Sequence, residues 1–180
     1  MDQPVIKTDR LFLRAFEPSD ADAVQRHAGD KRISSNTVSI PYPYDKEMAI
    51  DWIDGHPERF QDGKGVDYAV INQENQELIG AIGLSISPRH KHAELGYWIG
   101  EPYWGKGYAT EAAAAMLRYG FEERNLHRIF AHYFSQNPAS GRVMEKIGMQ
   151  FEGLLREHIY KDGKFVDLYL YSILRADFIF

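Results

Sequence analysis

The chain has no cysteine. That removes disulfides, cysteine-ligated zinc, iron–sulfur clusters and any reaction whose nucleophile is a protein thiol. Positive charge is also in short supply, with 21 lysines and arginines against 26 aspartates and glutamates and a net charge of -5. A surface of that sign argues against nucleic acid as a partner, so a bound phosphate must be held by local geometry. Long apolar runs are missing too. Stretches such as LIGAIGLSI, residues 78–86, fall far below the ~20 residues that cross a bilayer, and no membrane association is expected. The opening MDQPVIKTDR carries charges where a secretory signal needs an apolar stretch, so a cytoplasmic protein is expected. The sequence contains no internal repeat, low-complexity tract or linker. What it does contain is 180 residues, 44% hydrophobic and 26% charged. That reads as one domain over 1–180, able to bury about 70% of its extended surface without a disulfide or metal staple.

Local periodicity predicts a βααβββαβαββ order in one mixed α/β domain. Leu11, Leu13 and Ala15 alternate as in a strand, and Pro18, Ser19 and Asp20 then start a helix from Ala21 to about Ala28. A polar stretch through Ser34, Ser35 and Asn36 to the PYPY of 41–44 reads as a loop. Met48, Ile50, Trp52, Ile53, His56 and Phe60 suggest a second helical segment, strained by Gly55 and Pro57. Val66–Asn72, Glu77–Ser87 and Lys91–Gly100 read as three strands, antiparallel because their connections are too short for a crossover helix. Residues 109–123 carry apolar side chains at helical spacing. Arg128–Phe134 then reads as a strand, Pro138–Ile147 as a short helix ended by Gly148, and Phe151–Tyr160 with Phe165–Leu174 as a hairpin across KDGK.

The most informative segment is GYWIGEPYWGKGYATEA, residues 96–112. A strand ends, glycines let the backbone approach a ligand closely, and a helix begins with its free N–H groups and positive dipole end outward. That is an anion cradle, and it suits an acidic chain. Two nucleotide motifs fail against it. GEPYWGK at 100–106 satisfies G-x-x-x-x-G-K, but Gly107 stands where a P-loop needs Ser or Thr for magnesium. Gly105-x-Gly107-x-x-Thr110 lacks the third glycine of the dinucleotide fingerprint.

The same run resembles the coenzyme A pyrophosphate loop of the GNAT superfamily of N-acetyltransferases, R/Q-x-x-G-x-G/A ahead of the central helix. Gly107-Tyr108-Ala109 supplies G-x-A, while Trp104 stands where Arg or Gln is usual. The form WGKGYATEA is similar to the ribosomal-protein N-acetyltransferase branch. Further matching segments are AELGYWIG at 93–100, NPAS at 137–140, EKIGMQFEG at 145–153 and KDGKFVDLYLYSIL at 161–174. The resemblance covers nearly the whole chain. It implies a central, mostly antiparallel sheet of about seven strands flanked by about four helices, with strands splayed apart at an acetyl-CoA site. It also implies acetyl-CoA as co-substrate, no metal, an amine-bearing acceptor, and a monomer or homodimer. Transfer would run by direct attack in a ternary complex; the alternative is a non-catalytic acyl-CoA sensor of the same fold.

On this resemblance, Trp98, Ile99 and Gly100 run beside the pantetheine arm. The N–H groups from Trp104 through Gly105, Lys106, Gly107, Tyr108 and Ala109, with Thr110 in the helix's first turn, hold the pyrophosphate. The alternative for the glycines is a turn that merely permits tight packing. Asn137 bonds the pantetheine arm, although Asn before Pro138 is equally a favoured helix N-cap. Ser140 lies near the departing sulfur and is the expected donor to it, since Met144 occupies the position where many relatives place a Tyr acid. An ammonium cannot attack until it loses a proton, so a carboxylate or histidine must receive one. Alternation puts His92, Glu94, Gly96 and Trp98 on one strand face and Ala93, Leu95, Tyr97 and Ile99 on the other. Glu94 is the expected base, with Glu157 and His158 as runners-up and a solvated carboxylate as the alternative. Tyr42 and Tyr44 are expected to line or cover the acceptor site. His90-x-His92 lacks a third metal ligand at useful spacing. Asp167 and Tyr171 are expected to be structural.

Overall fold

The computed structural model describes residues 2–179. Its elements are β1 (Ile6–Lys7), β2 (Leu11–Arg14), α1 (Ala21–Ala28), α2 (Lys31–Ser34), α3 (Lys46–Asp54), α4 (His56–Gln61), β3 (Gly65–Asn72), β4 (Leu78–Ser87), β5 (His92–Ile99), α5 (Tyr108–Glu122), β6 (Arg128–Phe134), α6 (Pro138–Lys146), β7 (Gln150–Lys161) and β8 (Lys164–Leu174). The eight strands form one sheet in the order β1-β2-β3-β4-β5-β6-β8-β7. Every neighbouring pair is antiparallel except β5 and β6.

The sheet has one strand more than expected, because Ile6–Lys7 pairs onto β2 ahead of the opening strand. The helical count also rises. Asp30 accepts a hydrogen bond from the Arg32 backbone N–H at 2.8 Å and caps the four-residue α2 inside the expected loop. The strain foreseen at Gly55 and Pro57 breaks the second helical segment in two. Asp45 caps α3 by accepting from the Met48 N–H at 2.9 Å, and α4 restarts with Pro57 in its first turn.

Alternation along the strands gives the sheet two apolar faces, and each finds a helical layer. On one side Leu84, Leu95 and Ile129 pack with Ala113, Met116 and Leu117 of α5 and Met144 of α6. On the other, Ala69, Ala81 and Trp98 meet Val24 of α1 and Ala49 and Ile53 of α3. The hairpin closes through Asp162 and Gly163, both at positive φ, as a two-residue D-G turn between β7 and β8 demands.

β5 and β6 are paired only at His92↔Arg128, Ala93↔Ile129 and Glu94↔Phe130. β5 runs on to Ile99 and β6 to Phe134, so beyond Glu94 the two strands part. This is the splay that the family resemblance implies. It leaves strand backbone in the middle of the sheet facing a gap.

Candidate active site

A cleft of about 960 Å³ follows the parting of β5 and β6. Its wall on the β5 side includes Leu95, Tyr97 and Ile99, and Asn137, just ahead of α6, joins Ala139 and Ser140 of that helix. The Gly100 N–H is spent on the Ile79 carbonyl at 2.8 Å. Antiparallel pairing alternates, so Tyr97 and Ile99 turn their backbone groups toward the gap and Gly100 does not. By the same alternation Trp98 also turns its backbone groups to β4; Trp98 lines the cleft and Gly100 does not. Ile99 presents its carbonyl there, where it accepts from the Trp104 indole Nε1 at 2.5 Å.

The loop between β5 and α5 forms one end of the cleft. Gly105 and Gly107 have φ of +74° and +82°, a left-handed conformation that L side chains rarely adopt. Gly107 is the N-cap of α5, and the first turn of a helix leaves N–H groups without intrahelical acceptors. Gly105, Gly107, Tyr108, Ala109 and Thr110 all line the cleft. The Trp104 N–H is not available, since it donates to the Glu101 carbonyl at 3.1 Å. Trp104 still lines the cleft, whereas Lys106 does not. Arg10 braces the loop from outside. Its Nη1 donates to the Lys106 carbonyl at 2.8 Å, its Nε pairs with Glu111 at 2.7 Å, and its guanidinium lies 4.7 Å from the Tyr108 ring centroid.

Asn137 stands at the N-cap of α6, yet its side chain makes no capping bond. It lines the cleft instead. Ser140 Oγ lies 2.7 Å from the Tyr97 hydroxyl, whose pKa burial raises to about 12. Met144 is buried in the core. Tyr97 falls on the apolar face of β5, where its alternation gave no sign of a polar task.

On the opposite face, Ser85, Glu94, Phe130 and His132 share one side of the sheet through the registers Ser85↔Glu94 and Glu94↔Phe130. His132 Nδ1 lies 3.1 Å from Glu94 Oε1. Gly96, two residues past Glu94, has nothing within 4 Å of where a Cβ would stand, so the floor beside Glu94 stays open.

Residues 10–150 match the profile of the acetyltransferase (GNAT) domain. The chain belongs to the GNAT family of acetyltransferases. The uncharacterized N-acetyltransferase YoaA of Bacillus subtilis is 34% identical over 178 residues, covering 96% of this chain and 97% of that protein. The [ribosomal protein uS5]-alanine N-acetyltransferase of Escherichia coli is 29% identical over 180 residues, covering 96% and 91%. Among solved structures, a GNAT-family acetyltransferase from Bacillus anthracis superposes with a TM-score of 0.85 at 33% identity, covering 96% of this chain and 99% of its own. The likeness to ribosomal-protein N-acetyltransferases read from WGKGYATEA stands, and the chain is an N-acetyltransferase.

Away from the glycine loop, this cleft is bordered by α1 and α3. Trp52, Tyr44, Ile40 and Met48 wall it. Asp67 on β3 is paired with Arg59 at 2.8 Å, and Arg59 also donates to Ser85 Oγ at 3.1 Å. Burial pushes the Asp67 carboxyl up, against the pull of Arg59. Tyr44 reaches this wall, its phenol raised by burial and by Asp45, whereas Tyr42 is exposed and stands outside it. Glu157 also stays outside. It sits at φ +49° in a bulge of β7, with its N–H bonded to Asp167 Oδ1 at 2.6 Å. His158 lines a second, neighbouring cleft. Among the described residues no group of three or more His, Cys, Asp or Glu could hold a metal, and no helix is long and apolar enough to cross a membrane.

Proposed function

We propose that this acetyltransferase moves the acetyl group of acetyl-CoA to a primary amine by direct attack while both substrates are bound. The acceptor is a peptide amino terminus, such as that of a ribosomal protein, or a small amine, and the reaction belongs in the cytoplasm. When bound, acetyl-CoA supplies an acetyl thioester. One observation carries the reading: the glycine cradle, the parted backbone of β5 and the Glu94 carboxylate open into a single cleft.

The residues present fit such a ligand. The N–H groups from Gly105 through Thr110 take the pyrophosphate, with the dipole of α5 behind them. Arg142 and Lys146 line the same cleft and supply local positive charge. Tyr97 and Ile99 offer strand pairing to the pantetheine arm, and Asn137 offers its amide. An N–H fixed in β5 near Ile99 needs no reorganisation to stabilise an oxyanion. Glu94 receives the acceptor's proton across the open floor at Gly96. The Ser140–Tyr97 hydroxyl pair donates toward the sulfur. The walls of Trp52, Tyr44 and Met48 accommodate an apolar body beside the reacting amine.

The test is free-thiol release from acetyl-CoA with a panel of peptide amino termini, polyamines and aminoglycosides. A chain without cysteine adds no background. Turnover is expected in the wild type, with Glu94→Gln losing on the order of 10²-fold in kcat while still binding coenzyme. Full turnover in that variant removes Glu94 as the base, and ping-pong kinetics or a covalently acetylated residue refutes direct attack.

A further inference from the structure

A second cleft of about 640 Å³ adjoins the first. The two have four lining residues in common, Val38, Ser39, Glu94 and His132. Glu94 and His132 therefore sit in the partition, reachable from either side. The remaining wall of the second cleft includes His92 on β5, Arg128 and Phe130 on β6, and His158 on β7. Arg128 is already engaged, bonded to Glu152 through Nη1 at 2.6 Å and to Ser172 Oγ at 2.7 Å. In the second cleft the titratable groups left facing the pair are His92 and His158; on the first-cleft side the Arg59–Asp67 ion pair reaches Ser85, the register partner of Glu94.

His132 reaches Glu94 because of the strand geometry. β5 and β6 are in register at Glu94↔Phe130. His132 lies two residues further along β6, hence on the same face. The strands have begun to separate there, and the imidazole fills the opening angle with Nδ1 3.1 Å from Oε1. With Nδ1 turned to the carboxylate, Nε2 is the ring nitrogen left to exchange a proton.

The stoichiometry calls for such an arrangement. Acetylating an ammonium breaks two N–H bonds and the thioester C–S bond and forms one C–N bond. One proton goes to the sulfur, and the other must leave the protein on each turnover. The first cleft is filled by coenzyme and acceptor at that moment.

Resting on the acetyl-transfer reading above, we propose that Glu94 and His132 form a proton-handling pair. Glu94 takes the proton from the acceptor, and His132 positions that carboxylate and passes the proton to water in the second cleft. His132 thus acts through Glu94 as a positioning and relay residue.

The test compares wild type, His132→Ala and His132→Gln in steady-state kinetics with an amine that the wild type acetylates, with and without added imidazole. Loss of kcat on the order of 10²-fold in both variants is expected, with KM for acetyl-CoA unchanged and the pH dependence of kcat altered. Imidazole is expected to restore His132→Ala even at saturating acetyl-CoA and acceptor, because it enters by the second cleft. Wild-type kcat in both variants overturns the pair. Rescue that vanishes at saturation overturns the outlet. A wild type that binds acetyl-CoA but acetylates no amine overturns the transfer reading, and the pair with it.

Discussion

The hydroxyl of Tyr97 and Oγ of Ser140 lie 2.7 Å apart, joining the middle of β5 to the first turn of α6 across the parting of the sheet. Each partly replaces water for the other in a half-buried place on the cleft wall. Tyr97→Phe therefore leaves Ser140 unpartnered, and ~1 kcal/mol of stability should go with it. If the pair delivers a proton to the leaving sulfur, Tyr97→Phe and Ser140→Ala each lower kcat by on the order of 10²-fold. The double variant should be little worse than either single one, since both remove the same device. Steady-state kinetics on the three variants, with chemical denaturation alongside, checks both parts.

Coenzyme affinity should depend on Arg10, which touches the loop only from outside. Arg10→Ala releases the Lys106 carbonyl and the Glu111 carboxylate together. Because Arg10 is about half exposed, the loss is a modest one, a Kd for acetyl-CoA raised about three- to tenfold. Gly107→Ala attacks the same loop from within. It forces a side chain into φ +82° and sets a Cβ 3.3 Å from Arg10 Nη2. The left-handed conformation alone costs ~1–2 kcal/mol. Calorimetric titration should rank both variants below wild type while their helical content stays intact.

Asn137 separates two roles that sequence alone leaves merged. Replacing a capping Asn by Ala ordinarily costs ~1 kcal/mol. Here the side chain caps nothing, so Asn137→Ala should move unfolding by less than about 0.5 kcal/mol. The same change should raise KM for acetyl-CoA about fivefold, the worth of one lost hydrogen bond. A large stability loss with unchanged KM would reverse the assignment.

His56 makes the fold sensitive to acid. Burial, with Arg59 adding to it, pushes its imidazole down to about 4, so the folded chain refuses a proton that the unfolded chain accepts near 6.5. Stability is then complete above pH ~6.5 and falls as pH drops toward ~4, by ~3 kcal/mol in all. Urea denaturation at pH 7.5 and 4.5 measures the loss. His56→Gln should flatten that difference, whatever it does to stability at neutral pH.

The strands and helices most legible in the sequence are those whose side chains announce a period. β6 falls where Arg128–Phe134 predicts it, and α5 starts one residue before the apolar repeat does. β1 and α2 are too short to show any period. β1 exists because it pairs with β2, and α2 because Asp30 caps it. The glycine loop is legible because a left-handed backbone leaves a mark in composition. His132 and Tyr97 leave none. A histidine in the strand FAHYF and a tyrosine among leucine and isoleucine look like packing until register and the parting of β5 and β6 bring partners to them.

The three paired positions between β5 and β6 also have a mechanical meaning. They are the seam between two arms of the sheet, β1 to β5 on one side and β6, β8 and β7 on the other. Tied at that seam, the arms diverge toward their far ends, where Ile99 and Phe134 finish the strands. Glu94 is the last tied residue of β5, so its carboxylate stands on the braced end of the wedge rather than on a free end.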